Sequence, residues 1–463
     1  MTQMNLVYDI QDKPPLKMNL FYALQQLLAI MAATILVPAL VDPNGLYMDQ
    51  AAALCGAGFG TLFYLFVTQR KSPVFLGSSF AFISPLVGAV AYGFVGIFLG
   101  AVFAGLVYVV IAVIVKMTGT DWINKLLPPV VIGPTVALIG LSLCGSAVNN
   151  LANTAVSADN YSLVHIALGI FAFGITVLVS VKGGKNLKMV PFIIGILSAY
   201  VVGMLLTDIG NLTNNDTLKV INLDAYKDLH FFTVPRFNFL GMFGVYDKAI
   251  EEAVVNGEAV GAVNRITSFA DVINILILFA PVAFVTLAEH IADHKNLSTI
   301  VGRDLISDPG LSRTLIGDGV GSAIGSFFGG CPNTTYGESV GCVAITRNAS
   351  VSTIFLAAIY CIVLSFFGPF TAFVNSIPAC ITGGVCIALY GFIAVSGLKM
   401  LQPVDLNDNR NLFVVAAILV TGIGGLELRF EHLTISSIAT ALILGILVNV
   451  IFNRGNNKPT EEE

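Results

Sequence analysis

The chain has 463 residues, of which 56% are apolar and only 11% are charged, and its formal net charge is −5. Soluble domains carry roughly 25% charged residues, so the composition excludes a soluble fold and indicates a polytopic membrane protein. The slightly acidic balance argues against a nucleic-acid partner. The seven cysteines form no CxxC pair, so neither a zinc site nor a disulfide framework is expected.

Apolar runs of the length needed to cross about 30 Å of hydrocarbon predict an all-α protein with fourteen membrane segments. Eleven runs are continuous: 19–41, 50–68, 93–115, 127–147, 162–181, 189–207, 270–292, 351–374, 377–396, 411–427 and 434–453. Three further runs are broken by small or polar residues: 73–91, 314–330 and 332–346.

The positive charges predict that both termini lie in the cytoplasm. With the N-terminus inside, most of the 23 Lys and Arg residues fall on the cytoplasmic side. All the exceptions except Arg429 lie in one long loop, and long loops escape the positive-inside rule.

This loop divides the chain into two halves with seven predicted segments each. Because seven is odd, the second half enters the membrane from the opposite side, which is the topology of an inverted repeat. The predicted parts are a cytoplasmic N-terminus (1–18), a first repeat (19–207), an extracytoplasmic loop (208–269), a second repeat (270–453) and a cytoplasmic tail (454–463).

The third segment of each repeat is interrupted, at 75–85 and at 329–338. Unsatisfied backbone groups cost several kcal/mol each in hydrocarbon, so irregular chain at this depth needs a partner or a cavity. We expect the two segments to pair as short strands and the helices that follow to point their free N–H groups at a ligand. The alternative is a pair of Pro/Gly kinks without a ligand.

Ionisable residues within membrane segments are rare and usually functional. Glu289 and Asp293 are four residues apart, hence on one helical face, and Glu338 directly follows the second broken segment. The alternatives are a structural carboxylate paired with Ser, Thr or backbone for Glu289, and a capping or solvated carboxylate for Asp293.

Four further polar residues are expected to have structural roles. His290 is predicted to pack away from the Glu289 face, and His294 to border the inner surface; a metal cluster there lacks a second ligand set. Asp318 is predicted to cap the helix that follows Arg313, and Arg347 to anchor a helix end at the inner surface.

These motifs also carry a family resemblance. The run PNTTYGESVGCVAITR at 332–347 resembles the signature of the nucleobase–ascorbate transporter family. The runs at 76–85, 288–290, 383–391 and 24–38 are similar to its bacterial uracil permease branch. The likeness extends over roughly 14–453.

The resemblance implies two inverted seven-segment repeats, with segments 1–4 and 8–11 as a core domain and segments 5–7 and 12–14 as a gate domain. It also implies proton coupling without another cofactor, a homodimer formed through the gate domains, and a location in the cell (inner) membrane. The base would lie between segments 3 and 10, where the implied contacts are the side chains of Glu289 and Glu338, the backbone N–H groups of Phe80 and Gly337, Ala33 and Tyr336 around the pocket, and Tyr390 from the gate side.

The chain departs from the family pattern in three places. Gln25-Gln26 replaces a Gln-His pair in the first segment, and Ser339 stands where the family usually has Asn. Asp293 occupies the place where relatives of known mechanism have a His that assists proton transfer.

The expected chemistry is uptake of uracil, a flat ring with two N–H donors and two carbonyl acceptors. A carboxylate accepts N–H bonds and helix N-terminal amides donate to carbonyls, while Phe80 with Tyr336 or Tyr390 would cover the ring faces. Within the family, Gln at position 338 goes with xanthine and urate, so Glu338 favours uracil. Burial disfavours a charged carboxyl group, so Glu289 is predicted to carry the proton, with Asp293 as a relay.

Several other functions are weighed against this one. A xanthine or other purine permease of the same family stays open. An anion exchanger of the same fold would need a positively charged pocket, and the two glutamates argue against such a pocket. An enzyme would need a nucleophile with a base, and Ser78 and Ser79 have no matching His, so no enzymatic activity is expected. A channel fits paired broken segments poorly.

Overall fold

The computed structural model describes residues 5–154, 157–184, 187–227, 229–248, 250–251, 266–430 and 433–453. This part of the chain is almost entirely helical. The first half contains α1 (Leu16–Val41), α2 (Gln50–Val67), α3 (Ile83–Val90), α4 (Gly93–Thr118), α5 (Asp121–Leu126), α6 (Pro129–Ser142), α7 (Cys144–Ala152), α8 (Leu163–Lys182) and α9 (Pro191–Thr213). The second half contains α10 (Asn238–Met242), α11 (Phe269–Val301), α12 (Leu311–Gly329), α13 (Gly337–Thr346), α14 (Val351–Ser365), α15 (Gly368–Asn375), α16 (Ala379–Lys399), α17 (Asn409–Ile423) and α18 (Ser437–Asn453).

Three antiparallel strand pairs accompany the helices. β1 (Leu76–Ser78) pairs with β4 (Asn333–Thr335) across the two halves of the chain. The other two pairs are local: β2 (Asn153–Thr154) with β3 (Ser157–Tyr161), and β5 (Leu428–Phe430) with β6 (Leu433–Ile435).

Eight helices in the described part of the chain are long and apolar enough to cross a membrane, and four shorter apolar helices accompany them. A helix of 20 residues spans about 30 Å, the thickness of the hydrocarbon layer. The protein is therefore a multi-pass membrane protein, as the composition predicts.

Small residues bring the helices around the strand pair close together. A methyl group on Gly56 of α2 would overlap the carbonyl oxygen of Gly325 on α12. On α4, a methyl group at Gly105 would likewise overlap the carbonyl oxygen of Gly319. In lipid, no hydrophobic effect drives helices together, because the lipid tails are as apolar as the helices. Helices associate there through close backbone approach at small residues. α12 therefore packs tightly against α2 and α4 behind the strands.

Two peripheral segments are anchored to this helical body. Near the N-terminus, Val7 N–H donates to the Arg347 carbonyl (2.8 Å) and Val351 N–H donates to the Ile10 carbonyl (3.0 Å). Arg347 directly follows α13 and so lies at a helix end, while its position at the inner surface stays a prediction. In the long loop, the Arg236 guanidinium donates to the Gly45 carbonyl (2.8 Å). Residues 252–265 of that loop and the tail from 454 lie outside the described residues.

Candidate binding site

The site is built on β1 and β4, whose register pairs Leu76 with Thr335 and Ser78 with Asn333. Two further backbone bonds extend the ladder: Ser79 N–H to the Pro332 carbonyl (3.0 Å) and the N–H of residue 336 to the carbonyl of residue 75 (3.1 Å). The backbone N–H and C=O groups of the two broken segments thus hydrogen-bond each other, as irregular chain inside a membrane protein requires. The predicted pair of short strands is confirmed.

A helix begins directly after each strand. Phe80 opens a single 3₁₀ turn (Phe80–Phe82) that leads into α3, and Gly337 is the first residue of α13. The first N–H groups of a helix have no acceptor within it, and they carry the positive end of the helix dipole. The backbone N–H groups of Phe80 and Gly337 therefore lie where an acceptor of hydrogen bonds would be held.

A cavity of about 40 Å³ lies at these helix starts. Five residues predicted to bind substrate line it: Phe80, Glu289, Tyr336, Gly337 and Glu338. Asp293, predicted as a proton relay, lines the same cavity. The remaining lining residues are Ser79, Val136, Ala292, Asn296, Phe392, Ile393, Ser396 and Met400.

The carboxyl groups of α11 differ in their partners. Oε2 of Glu289 is buried and has no hydrogen-bond partner among the described residues. Oδ2 of Asp293 accepts a hydrogen bond from Thr335 Oγ1 on β4 (2.9 Å), and the residue is only 7% exposed. Asp293 is thus not a solvated helix-end residue. A buried acceptor without a partner is costly, so Glu289 is poised to accept a donor from a molecule in the cavity.

Two predicted residues, Ala33 and Tyr390, are not part of the cavity lining. Ala33 is buried within α1. The ring of Tyr390 on α16 packs edge-on against the ring of Phe80, with 5.4 Å between centroids, so Tyr390 supports a lining residue from behind. Tyr336 is fixed differently, since its hydroxyl donates to the Ser78 carbonyl (2.6 Å).

Several lining residues are not among those predicted from the sequence. Asn296 lies three residues after Asp293 and seven after Glu289, so helical spacing alone places it on the same face. Phe392 and Ser396 of α16 and Met400, the residue directly after it, follow the same helical spacing. No sequence signal connects that face with a cavity built on β1 and β4.

A family model described as a permease family, covering xanthine and uracil permeases, matches residues 17–429. The chain belongs to this family, the nucleobase–ascorbate transporters. The uracil permease of Bacillus caldolyticus is 38% identical over 96% of this chain and 94% of that protein. The uracil permease of Escherichia coli strain K12 is 34% identical over 96% of this chain and 93% of that protein. These relatives are transporters, so the chain is a permease and not an enzyme.

Solved structures of other transporters share the fold. The transmembrane domain of a cyanobacterial bicarbonate transporter, BicA, aligns with a TM-score of 0.59 over 95% of this chain and 98% of that chain, at 13% identity. SLC26A9 aligns with a TM-score of 0.59 over 94% of this chain and 65% of that chain, at 11% identity. This likeness establishes the fold alone.

Two of the departures from the family motif contact each other. The Gln26 side-chain amide on α1 donates to the hydroxyl of Ser339 on α13. The same hydroxyl accepts the backbone N–H of Phe75, just before β1 (3.0 Å). Ser339 thus connects α1, α13 and the first broken segment, and the residue pair that differs from the usual family pattern holds the strand pair in place.

One structural prediction is wrong. Asp318 does not cap a helix; it lies within α12, fully buried, with Oδ2 2.5 Å from His290 Nδ1. The error arises because the partner of Asp318, His290, lies on another helix, 28 residues away in the chain. His294 is a packed residue, since it is 1% exposed and its Nε2 lies 2.8 Å from the Tyr64 hydroxyl; its position relative to the inner membrane surface stays a prediction. His290 is a packed, buried residue, as predicted.

The metal alternative gains no support. Among the described residues, no group of three or more His, Cys, Asp and Glu side chains is arranged to hold a metal ion. His290 instead has its second nitrogen, Nε2, 3.0 Å from Thr314 Oγ1. Both ring nitrogens are therefore occupied by neighbouring side chains.

Proposed function

We propose that the protein takes up uracil across the cell (inner) membrane together with a proton. The support for uracil is the similarity over nearly the whole chain to proteins named uracil permeases. The proposal includes fourteen segments in two inverted repeats, a core domain that moves against a gate domain, cytoplasmic termini and a homodimer formed through the gate domains.

The observation that carries the proposal is the convergence of Glu289 and Glu338 on one cavity beside the starts of two helices. Carboxylate oxygens accept the two N–H groups of the pyrimidine ring, and the helix N-terminal N–H groups donate to its carbonyls. Phe80 offers an aromatic face to the ring. The arrangement matches the donors and acceptors of uracil, and its acidic character disfavours an anion.

The small size of the cavity supports a cycle in which the site must open to admit and release the base. Ligand pockets usually enclose about 300–1,000 Å³, whereas this cavity encloses about 40 Å³. The wall that must withdraw is formed by Phe392 and Ser396 of α16 and by Met400, which directly follows that helix; this wall belongs to the proposed gate. Asn296 is exposed at the end of the cavity nearest the C-terminal ends of α11 and α16. In the proposed orientation this end faces the cytoplasm, so the base and the proton leave there.

In this mechanism Glu289 binds the coupling proton when the base binds. The free carboxyl oxygen of Glu289 lies at the cavity and Asp293 lies one helical turn further toward the exposed end. A proton released by Glu289 would therefore meet Asp293 next on its way to the cytoplasm.

The test is uptake of radiolabelled uracil into proteoliposomes, with and without an inward proton gradient, challenged by excess unlabelled xanthine. Gradient-driven uptake that xanthine leaves unchanged is the expected result. Strong inhibition by xanthine, or no uracil uptake, would instead assign the site to purines. Equal uptake with and without the gradient would refute proton coupling while leaving the substrate assignment intact.

A further inference from the structure

The cavity at β1 and β4 continues beyond the two glutamates toward its exposed end. Along α11, Asn296 lies seven residues beyond Glu289, and both residues line the cavity. At 1.5 Å per residue, Asn296 is about 10 Å closer to the exposed end. Along α16, Ser396 lies six residues beyond Tyr390, whose ring packs against Phe80, which is about 9 Å in the same direction. Asn296 and Ser396 therefore lie at about one level, past the proposed position of the base.

These two residues come from opposite walls of the cavity. Asn296 belongs to α11, which contacts β4, whereas Ser396 belongs to α16, which packs against α6 and α8. The other residues that α16 and its C-terminal end contribute to the lining are apolar: Phe392, Ile393 and Met400. Ser396 is therefore the polar residue of an otherwise apolar face, and it lies across the cavity from the amide of Asn296.

Both side chains are free to bond with a molecule in the cavity. Within the described part of the chain, neither the Asn296 amide nor the Ser396 hydroxyl has a hydrogen-bond partner. Asp293, which lies between Glu289 and Asn296 on the same face of α11, differs in this respect because it accepts the bond from Thr335 Oγ1 (2.9 Å). The exposed end of the cavity thus offers an amide and a hydroxyl that the fold itself does not use.

A base that leaves the glutamates needs new partners for its polar groups. An N–H or C=O group that moves along an apolar wall without a hydrogen bond loses free energy of solvation. The amide of Asn296 has one acceptor and two donors, so it can bond a neighbouring N–H and C=O of uracil at the same time. The hydroxyl of Ser396 both donates and accepts, so it can bond a further group of the ring from the opposite wall.

We propose that Asn296 and Ser396 form an exit site, a second position that holds the base between its release from Glu289 and Glu338 and its entry into the cytoplasm. This inference rests on the proposed function, both for uracil as substrate and for the side of the membrane that the exposed end faces. A base that enters from the cytoplasm meets the exit site first. A base that enters from outside reaches the glutamates without it, so the two residues act on one face of the membrane only.

The test measures exchange of labelled for unlabelled uracil from each face of the membrane. Right-side-out and inside-out vesicles are prepared from cells that express the full chain and lack their own uracil carriers. In inside-out vesicles, Asn296→Ala should raise the half-saturating uracil concentration by about three- to tenfold, the effect of one lost hydrogen bond. In right-side-out vesicles the half-saturating concentration should stay unchanged. Ser396→Ala should give the same one-sided result.

Thr299→Ala is the matched control, because Thr299 is exposed on the same helix and its hydroxyl donates to the Lys295 carbonyl (3.0 Å). It should change neither half-saturating concentration. Equal behaviour of Asn296→Ala and Thr299→Ala would overturn the exit site, as would an equal loss of affinity from both faces.

Ser396→Ala carries the test should Asn296→Ala fail to fold. Absence of uracil exchange by the unmodified chain would refute the proposed function itself. Failure of the exit site alone leaves that exchange intact, so the two failures are distinguishable.

Discussion

At the residue scale, the unpartnered oxygen of Glu289 leads to a prediction about coupling. Glu289→Gln keeps the size of the side chain and removes the proton that the mechanism requires. We expect uracil to bind while the proton gradient no longer drives its accumulation. The two measurements are binding by calorimetry and gradient-driven uptake in proteoliposomes. Gradient-driven uptake as large as that of the unmodified protein would refute the role of Glu289.

Glu338 is expected to act chiefly in binding. A hydrogen bond to a charged group contributes about 1.5–3 kcal/mol, so Glu338→Gln should weaken uracil binding by roughly tenfold to a hundredfold. Xanthine binding should change less, because the amide offers a donor as well as an acceptor. Competition binding with both bases checks the result. An equal loss for the two bases would indicate damage to the site and no role in selectivity.

The sequence predicted the lining residues that belong to recognisable motifs, and it failed where a partner lies far away in the chain. Glu289 and Glu338 stand out as charges within membrane segments, whereas their roles in binding and the role of Gly337 are implied by the family resemblance. Asp318 was predicted as a cap because its partner, His290, is 28 residues away on another helix. Only the folded chain shows that this carboxyl group is paired and buried.

At the element scale, the contact of Gln26 with Ser339 predicts non-additive substitutions. Ser339→Ala and Gln26→Ala remove the same hydrogen bond, so the double variant should lower the melting temperature less than the two single effects combined. Residues in direct contact show coupling energies of about 0.5–3 kcal/mol. Gln25→Ala, one position earlier on α1, is the matched control and should combine additively with Ser339→Ala. Equal additivity for both pairs would mean that the contact carries no energy.

The crossing of β1 and β4 requires a glycine. A methyl group on Gly77 would overlap the ring of Tyr336, whose hydroxyl is bonded to the Ser78 carbonyl. Overpacking of this kind typically costs about 1–3 kcal/mol. Gly77→Ala should therefore lower the melting temperature and the affinity for uracil together.

Gly341 of α13 provides the control for this substitution, because a methyl group there has no atom within 4 Å. Gly341→Ala should leave both the melting temperature and uracil binding nearly unchanged. If Gly77→Ala and Gly341→Ala change the melting temperature and uracil binding equally, the close contact at the strand pair is not the cause of the loss.

The sequence predicted the broken segments well because Gly, Ser and Pro within an apolar run interrupt a helix and leave backbone groups exposed. The ends of helices were predicted less well. α9 continues to Thr213 and α11 to Val301, beyond the apolar runs that end at 207 and 292. Hydropathy locates the part of a helix that contacts lipid, whereas the polar turns beyond it are stabilised by partners such as Tyr64.

At the scale of the whole molecule, the charge distribution predicts the orientation. In a Cys144→Ser background, which removes the exposed cysteine, Lys219→Cys should react with a membrane-impermeant maleimide applied to intact cells. Lys399→Cys should react only after the cells are permeabilised. The reverse pattern would invert the orientation.

The fold class followed from composition, but the placement of the cavity wall that α16 forms did not. The spacing of Phe392, Ser396 and Met400 indicates a helical face without saying what it faces. The packing of α16 against the cavity depends on contacts between segments more than 50 residues apart in sequence. Such long-range contacts need a structure, or a resemblance, to be located.

The pairing of β1 with β4 has a consequence for biosynthesis. The two strands are 255 residues apart along the chain, between Ser78 and Asn333. A chain is made from its N-terminus, and its early segments enter the bilayer first. The backbone groups of the first broken segment therefore lack their hydrogen-bond partners on β4 until the second half has been synthesised. During that interval, water or the insertion machinery must form hydrogen bonds with its backbone. This requirement makes the segment the most vulnerable point in assembly.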